Sequence, residues 1–75
     1  MANFAIVSLF EEDSDEAEPL AFVEATGKVA AMESAAKGLG GHVGQTKTYQ
    51  QNRPVLWLDG GMYVAVRRRK GGEDG

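Results

Sequence analysis

The stretch Val55-Leu56-Trp57-Leu58-Asp59-Gly60-Gly61-Met62-Tyr63-Val64-Ala65-Val66 does most to decide the fold of this 75-residue chain. Two apolar runs flank an Asp-Gly-Gly turn, and this arrangement predicts a tight β-hairpin. The preceding Asn52-Arg53-Pro54 indicates a loop. Before that loop, the polar segment Val43 to Gln51 alternates without an apolar face and favours an exposed edge strand.

The N-terminal half of the chain predicts two further strands. Asn3 to Phe10 is apolar on both alternations, which is typical of a central strand covered on both faces. One face of that strand is expected to carry Phe4, Ile6 and Phe10. Leu20 to Ala25 predicts a second strand that turns Phe22 toward the core from one side and Val23 toward the other.

One helix is predicted between the second and third strands, from about Gly27 to Leu39, with Thr26 as its N-cap. The spacing of apolar residues predicts a narrow buried stripe formed by Val29, Met32, Ala36 and Leu39. Glycines at the end of this segment supply a stop, namely Gly38, Gly40 and Gly41. A competing interpretation starts the helix at Pro19 and runs it through Gly27, because proline suits the first helical position.

These elements predict an α+β fold in the order β-β-α-β-β-β, a small antiparallel sheet of four to five strands with one helix packed on one face. Residues 1–70 are expected to form a single domain, and residues 71–75 a disordered tail. The chain has no cysteine, so neither a disulfide nor a thiolate metal site adds stability. A monomer or a homodimer is expected, because the edge strand at 43–51 can pair with a copy of itself.

The cellular setting is predicted from what the sequence lacks. No apolar run approaches the roughly 20 residues that span a bilayer. The N-terminus lacks the basic start and the apolar stretch of a signal peptide. We therefore expect a soluble, cytoplasmic protein that has no membrane partner.

No catalytic or metal site is predicted. The single histidine, His42, lies in a Gly-rich segment, and no serine lies in a recognisable motif, so no nucleophile–base pair is indicated. A calcium loop starting at Asp13 fails, because Ala17 and Glu18 stand where an oxygen ligand and a glycine are needed. No phosphate-binding glycine pattern is complete. We expect a protein that is not an enzyme, with no catalytic residues, no metal and no cofactor.

The charged residues are segregated along the chain. Residues 1–27 contain seven carboxylates and no Lys or Arg, whereas residues 28–75 contain all eight cations and four carboxylates, so the sums are −7 and +8 − 4 = +4. Most of the acids fall in residues 11–19, which are expected to form a solvated, mobile loop. One interpretation is that this loop only maintains solubility. The other is that it presents closely spaced negative charge to a basic groove of a partner and speeds their encounter.

The basic block Arg67-Arg68-Arg69-Lys70 has its own interpretations. Four adjacent cations at a strand end can contact nucleic-acid phosphates, and Tyr49, Trp57 and Tyr63 can add stacking. The overall acidity of the chain, with a pI near 5.0, argues against direct binding of nucleic acid. Arginine is also a favoured anchor at protein interfaces, so the block is equally a candidate protein contact.

Two resemblances complete the sequence evidence. Phe22-Val23-Glu24-Ala25 leading into the Ala-rich helix from Val29 to Ala36 resembles small anti-CRISPR proteins of phages and mobile elements, at the level of pattern over residues 3–41. That resemblance implies a non-enzymatic inhibitor of nucleic-acid-guided nuclease complexes. The segment from Val64 through Gly71-Gly72 is similar to the end of ubiquitin-like modifiers, which implies a modifier precursor, although Glu73-Asp74-Gly75 departs from their pattern.

The sequence therefore predicts a binding protein, with an anti-CRISPR-like inhibitor as the leading interpretation. Its expected partner is a protein with a basic surface, such as a nucleic-acid-guided nuclease complex of the host cell. The expected contact residues in the acidic run are Glu11, Glu12, Asp13, Asp15, Glu16 and Glu18. A second contact is expected from Arg67, Arg68, Arg69 and Lys70. The modifier precursor and a nucleic-acid-binding protein that uses Arg67 to Lys70 stay open as alternatives.

Overall fold

The computed structural model describes residues 1–47 and 52–68. In chain order the elements are β1 (Ala2–Ser8), a 3-10 turn (Leu9–Glu11), β2 (Ala21–Ala25), α1 (Lys28–Leu39), β3 (His42–Lys47), β4 (Asn52–Leu58) and β5 (Gly61–Arg67). The five strands form one antiparallel sheet in the order β2-β1-β5-β4-β3, with α1 packed on one face. The predicted α+β architecture and its element order are confirmed.

The hairpin forms as its sequence predicts. Leu58 pairs with Gly61 across the two-residue turn Asp59-Gly60. Gly61 has a φ of 142°, a backbone conformation that a residue with a Cβ rarely adopts. Glycine is therefore required where the chain enters β5.

The loop predicted at Asn52-Arg53-Pro54 is wrong, because β4 begins at Asn52 and all three residues pair with β3. Pro54 instead limits the pairing of β4 with β5, on the side of the strand opposite β3. Hydrogen-bonded pairs alternate along an antiparallel ladder, starting at the turn with Leu58 and Gly61. The next hydrogen-bonded pair in this register is Leu56 with Tyr63, and the one after it would be Pro54 with Ala65. Proline has no N–H to donate to that pair. The β4–β5 pairing stops just before that point, at Leu56 and Tyr63.

The helix occupies the predicted segment but buries a different stripe. Its buried residues are Ala31, Met32, Ala35 and Ala36. Val29 and Leu39 were expected in the stripe, yet their side chains are 44% and 45% exposed. Three of the four buried side chains are alanines, which let the helix lie close to the sheet.

Both helix ends use glycine. The N-cap is Gly27 and not the predicted Thr26, and no side chain caps this end. At the other end Gly40 adopts the left-handed conformation with a φ of 82°, and its N–H donates to the Ala36 carbonyl. The predicted glycine stop is thus confirmed. The competing helix from Pro19 through Gly27 is wrong, because β2 occupies Ala21–Ala25.

Each face of the sheet has its own apolar core. On the face that α1 covers, here called the helix face, Phe4, Ile6, Leu56 and Ala65 pack against the buried side of the helix. On the opposite face, here called the loop face, the buried side chains are Ala5, Val7, Val55 and Val64 together with Ala17. β1 lies between β2 and β5 and is covered on both faces, as its doubly apolar sequence predicts.

Two aromatic side chains depart from the predicted pattern. Phe10 does not share a face with Phe4 and Ile6, because β1 ends at Ser8 and the chain turns there; its side chain is 82% exposed. Phe22 pairs with Ala5 and so lies on the loop face. Because β2 is an edge strand, the Phe22 side chain is 53% exposed there.

Candidate interaction surface

The acidic loop, residues 11–19, is folded back over the loop face of the sheet. Successive backbone hydrogen bonds turn it, from the Ser14 N–H to the Glu11 carbonyl at 3.0 Å and from the Ala17 N–H to the Ser14 carbonyl at 3.3 Å. The Leu20 N–H then donates to the Ile6 carbonyl at 2.8 Å and returns the chain to the sheet. The expected loop is solvated along its exposed side chains, and its backbone forms a series of turns with defined hydrogen-bond partners.

Ala17 anchors the middle of the acidic loop. Its side chain is 7% exposed and packs with Val7, Val55 and Val64 of the sheet. A methyl group in the middle of a run of carboxylates provides an apolar contact that charged neighbours cannot provide. The loop therefore replaces a second helix as the cover of this face.

Arg68 holds the same loop from the far end of the sheet. Its backbone N–H donates to the Asn3 carbonyl at 3.1 Å and extends the β1–β5 ladder. Its guanidinium donates to the Ala17 carbonyl at 2.9 Å and to the Ser14 carbonyl at 3.0 Å. Because these acceptors are backbone carbonyls, the cation orders the loop without occupying any of its carboxylates.

A bidentate ion pair makes the third anchor. Two guanidinium nitrogens of Arg53 donate to the two Glu12 carboxylate oxygens, at 2.9 and 2.7 Å. This hydrogen bonding lowers the pKa of Glu12 below its ordinary value, against the opposing effect of burial, and the charge of Lys28 acts in the same direction as Arg53. The same contact raises the pKa of Arg53. Glu12 is therefore a structural residue of the loop.

The remaining carboxylates of the run point to solvent. Glu11, Asp13, Asp15, Glu16 and Glu18 are all exposed. Within residues 1–47 and 52–68, the ion pair that forms joins Glu12 to Arg53 and leaves these five acids unpaired. The result is an exposed row of negative charge on a backbone that is anchored at three points.

The residues of the predicted basic contact have different surroundings in the structure. Arg67 is exposed at the end of β5, whereas Arg68 is partly buried against the acidic loop. Arg69 and Lys70 lie outside the described residues, as do the predicted tail at 71–75 and its Gly71-Gly72 pair. The acidic run and the start of the basic block are thus neighbours in space, joined through backbone carbonyls.

Two residues of this surface are not predicted as site residues from the sequence. Arg53 lies in a segment, beside Pro54, that predicts a loop, and Ala17 stands where a calcium loop would need an oxygen ligand. The one available signal was the isolated apolar side chain of Ala17 among acids, which is the pattern of a loop with a buried anchor.

A cavity of about 250 Å³ opens where β4 and β5 separate. Apolar side chains of both layers line it, with Glu12, Lys28 and Arg53 as its charged members; the apolar ones are Val29, Met32, Pro54, Val64 and Ala65. Its one carboxylate is already paired with Arg53. These residues suit an apolar guest better than acid–base chemistry.

None of the helical segments within residues 1–47 and 52–68 has the length and apolar character needed to cross a membrane. Over the same ranges, no three acidic or histidine side chains converge as a metal-binding group would. No protein-family model, curated protein or solved structure matches this chain.

Proposed function

We propose that this chain is a non-enzymatic binding protein that inhibits a nucleic-acid-guided nuclease complex of a bacterial host, in the manner of anti-CRISPR proteins. In this proposal the acidic loop occupies a basic, nucleic-acid-binding surface of that complex. The supporting observation is the exposed row of carboxylates on a loop anchored by Ala17, Arg68 and the Glu12–Arg53 pair.

The anchoring of the loop favours a binding surface over a solubilising one. Negative charge for solubility needs no fixed geometry, since a disordered segment provides it equally well. A contact surface gains from order, because a loop that is already fixed loses less conformational entropy when it binds. Three separate anchors on one short loop therefore favour the binding function.

The charge distribution favours a basic protein partner over direct contact with nucleic acid. The loop adds five exposed carboxylates, none in an ion pair with another described residue, to a face where Arg68 is already engaged with backbone carbonyls. Phosphates would be repelled by this face, whereas a groove lined by Lys and Arg would be attracted over roughly one Debye length, about 8 Å at physiological salt. Arg67, exposed at the strand end, stays a candidate second contact.

A matched pair of triple variants tests the proposal. Asp15→Asn, Glu16→Gln and Glu18→Gln remove three loop charges and leave Glu12 and its ion pair intact. The control, Glu33→Gln, Asp59→Asn and Asp74→Asn, removes three charges outside residues 1–27 with the same chemistry and the same change in net charge. Both sets are expected to fold, since the replaced loop side chains and those of Glu33 and Asp59 are exposed.

The assay is phage plaquing on bacteria that carry defined CRISPR systems and express each variant. The parent chain is expected to restore plaquing against at least one system, the loop triple to lose that effect, and the control to keep it. With the purified complex, the parent should weaken target-DNA binding, and this competition should decline as salt rises. Restoration by the loop triple equal to the control, or no restoration in any system, would contradict the proposal.

A further inference from the structure

β2 is one edge of the sheet, and no strand formed by residues 1–47 or 52–68 pairs with its outer side. β1 pairs with it along one side, from Ala2 opposite Ala25 to Ile6 opposite Ala21. Edge strands expose a row of backbone donors and acceptors that can pair with another chain. The opposite edge, β3, leads into residues outside the described ranges, so β2 is the edge whose surroundings the structure gives.

The direction of the outward backbone groups follows from one hydrogen bond. Arg68 donates to the Asn3 carbonyl, so Asn3 and its alternate neighbours along β1 direct their backbone groups toward β5. Phe4 and Ile6 must then direct theirs toward β2, where they meet Val23 and Ala21. The alternation along β2 consequently turns the backbone N–H and carbonyl groups of the intervening residues outward.

Those outward residues are Phe22 and Glu24. Among the hydrogen bonds that described residues make outside the strand ladders, none involves the backbone of either residue. Both side chains lie on the loop face and are exposed, Phe22 by 53%. The edge thus combines free backbone groups with an apolar and an acidic side chain.

The charge around this edge selects its occupant. Glu24 lies on the strand itself, and Glu16 and Glu18 precede it in the acidic loop, while residues 1–27 contain no Lys or Arg. On the helix face the strand presents the half-buried Ala21 and Val23, which offer apolar area to a neighbouring strand. A second copy of this chain does not fit edge to edge, because two acidic loops and two Glu24 side chains would then lie close together.

We propose that the β2 edge binds an extended segment of a partner protein by strand addition, and that this segment alternates basic and apolar residues. Its basic side chains lie on the loop face beside Glu24 and the acidic loop, and its apolar side chains lie on the helix face beside Val23. Backbone hydrogen bonds to Phe22 and Glu24 supply the pairing, and the side chains supply the selectivity. This inference deepens the proposed function and relies on it for the charge of the partner.

The probe is a synthetic nonapeptide of alternating lysine and valine, titrated against the full chain by NMR. Binding is expected to shift the Phe22 and Glu24 amide signals and to slow their hydrogen exchange. A peptide of the same sequence, N-methylated at every second amide, keeps the charge but blocks one edge of the strand. A second peptide is methylated at the other set of amides and blocks the opposite edge. The peptide whose blocked edge faces β2 is expected to bind at least tenfold more weakly than the unmethylated peptide, and the other methylated peptide serves as its control.

A protein-side pair isolates the backbone contribution. Glu24→Ala and Glu24→Pro both remove the carboxylate, but only the proline also removes the outward N–H. Glu24 is opposite Asn3 at a position that does not hydrogen-bond to β1, so the β1–β2 ladder is kept. The proline variant is expected to bind the peptide at least tenfold more weakly than the alanine variant.

The outcomes separate this inference from the proposed function. If both N-methylated peptides bind like the parent peptide, or if the parent peptide does not bind, strand addition at β2 is wrong. If binding survives Glu24→Pro but is lost in the loop triple, the acidic loop contacts the partner without strand addition. A doubled mass in light scattering that Glu24→Pro abolishes would assign the edge to a second copy and overturn the proposed occupant.

Discussion

Breaking the Glu12–Arg53 pair is expected to destabilise the fold by loosening one anchor of the acidic loop. The variants are Glu12→Gln, Arg53→Met and the double variant. Glutamine keeps the shape of the side chain without its charge, and methionine keeps much of the apolar stem of arginine. A double-mutant cycle isolates the pair, because the attraction between Arg53 and Asp13 is lost equally with and without Glu12.

The magnitude follows from geometry and exposure. Exposed ion pairs contribute about 0.2–1 kcal/mol to the free energy of unfolding. This pair is bidentate, and the Glu12 side chain is 22% exposed, but that of Arg53 is 37% exposed and screened by solvent. We expect a coupling energy of about 1 kcal/mol at low salt. In a domain of this size that corresponds to about 4–8 °C in melting temperature.

The coupling energy should also depend on pH, with a sign that follows from Glu12. Arg53 lowers the pKa of Glu12 in the folded state, so the folded protein binds this proton less readily than the unfolded chain does. The stabilisation is therefore fully present above the ordinary glutamate pKa of about 4.3 and is lost as pH falls through the lower folded value. Added salt should reduce it at neutral pH.

Urea unfolding of the four proteins, near pH 7 and again near pH 3, provides the measurement. The coupling energy should fall toward zero at the lower pH. Asp13→Asn serves as a control, because its carboxylate lies near Arg53 without a hydrogen bond to it. A coupling energy within about 0.2 kcal/mol of zero at neutral pH, or one unchanged at low pH, would show that the Glu12–Arg53 pair does not anchor the loop.

Two further predictions concern packing, and both are measured by urea or thermal unfolding. Gly38→Ala should stabilise the chain by about 0.5–1 kcal/mol, since a Cβ there meets nothing within 4 Å in the last turn of α1. Gly41→Ala should instead destabilise the chain by about 1 kcal/mol or more, because the Cβ would collide with the Trp57 carbonyl oxygen. Equal effects of the two alanines would contradict the close approach of Gly41 to the end of β4. Ala17→Asp should cost about 2 kcal/mol by placing a carboxylate among the valines of the loop face, while Asp15→Ala should stay within 0.5 kcal/mol; a tolerated Ala17→Asp would mean that this side chain is not an anchor.

Local signals made much of the fold predictable. The Asp-Gly-Gly segment specifies the hairpin, because Gly61 takes a positive φ that residues with a Cβ rarely adopt. The glycines after Lys37 specify the end of the helix for the same reason. The doubly apolar run in β1 indicates a strand with cover on both faces, whatever provides that cover.

The errors arose where a local signal was ambiguous. Alanine carries little apolar contrast, so the sequence of a helix with an Ala-rich buried side does not fix which side faces the sheet, and Val29 lies at the margin of the buried side. Pro54 indicates a loop by its local sequence, but a strand tolerates proline where the ladder on one side has ended.

The candidate site depended on contacts that no local pattern contains. Arg53 lies 41 positions from Glu12, and Arg68 lies 51 positions from Ala17. Such contacts follow from the strand order, which places β5 beside β1 and directs the chain end toward the acidic loop. The composition of the loop was therefore predictable, whereas its place on the sheet was not.

The proposed role of the acidic loop requires that it form a fixed layer on the sheet and present its carboxylates in a set geometry. Backbone ¹⁵N relaxation of residues 11–18 measures this order, with the β1 amides as an internal reference. Order parameters near those of β1, about 0.8 or higher, are expected, together with a marked decrease when Arg68 is replaced by alanine. Order parameters below about 0.6 in the parent chain, unchanged by Arg68→Ala, would contradict the proposed role.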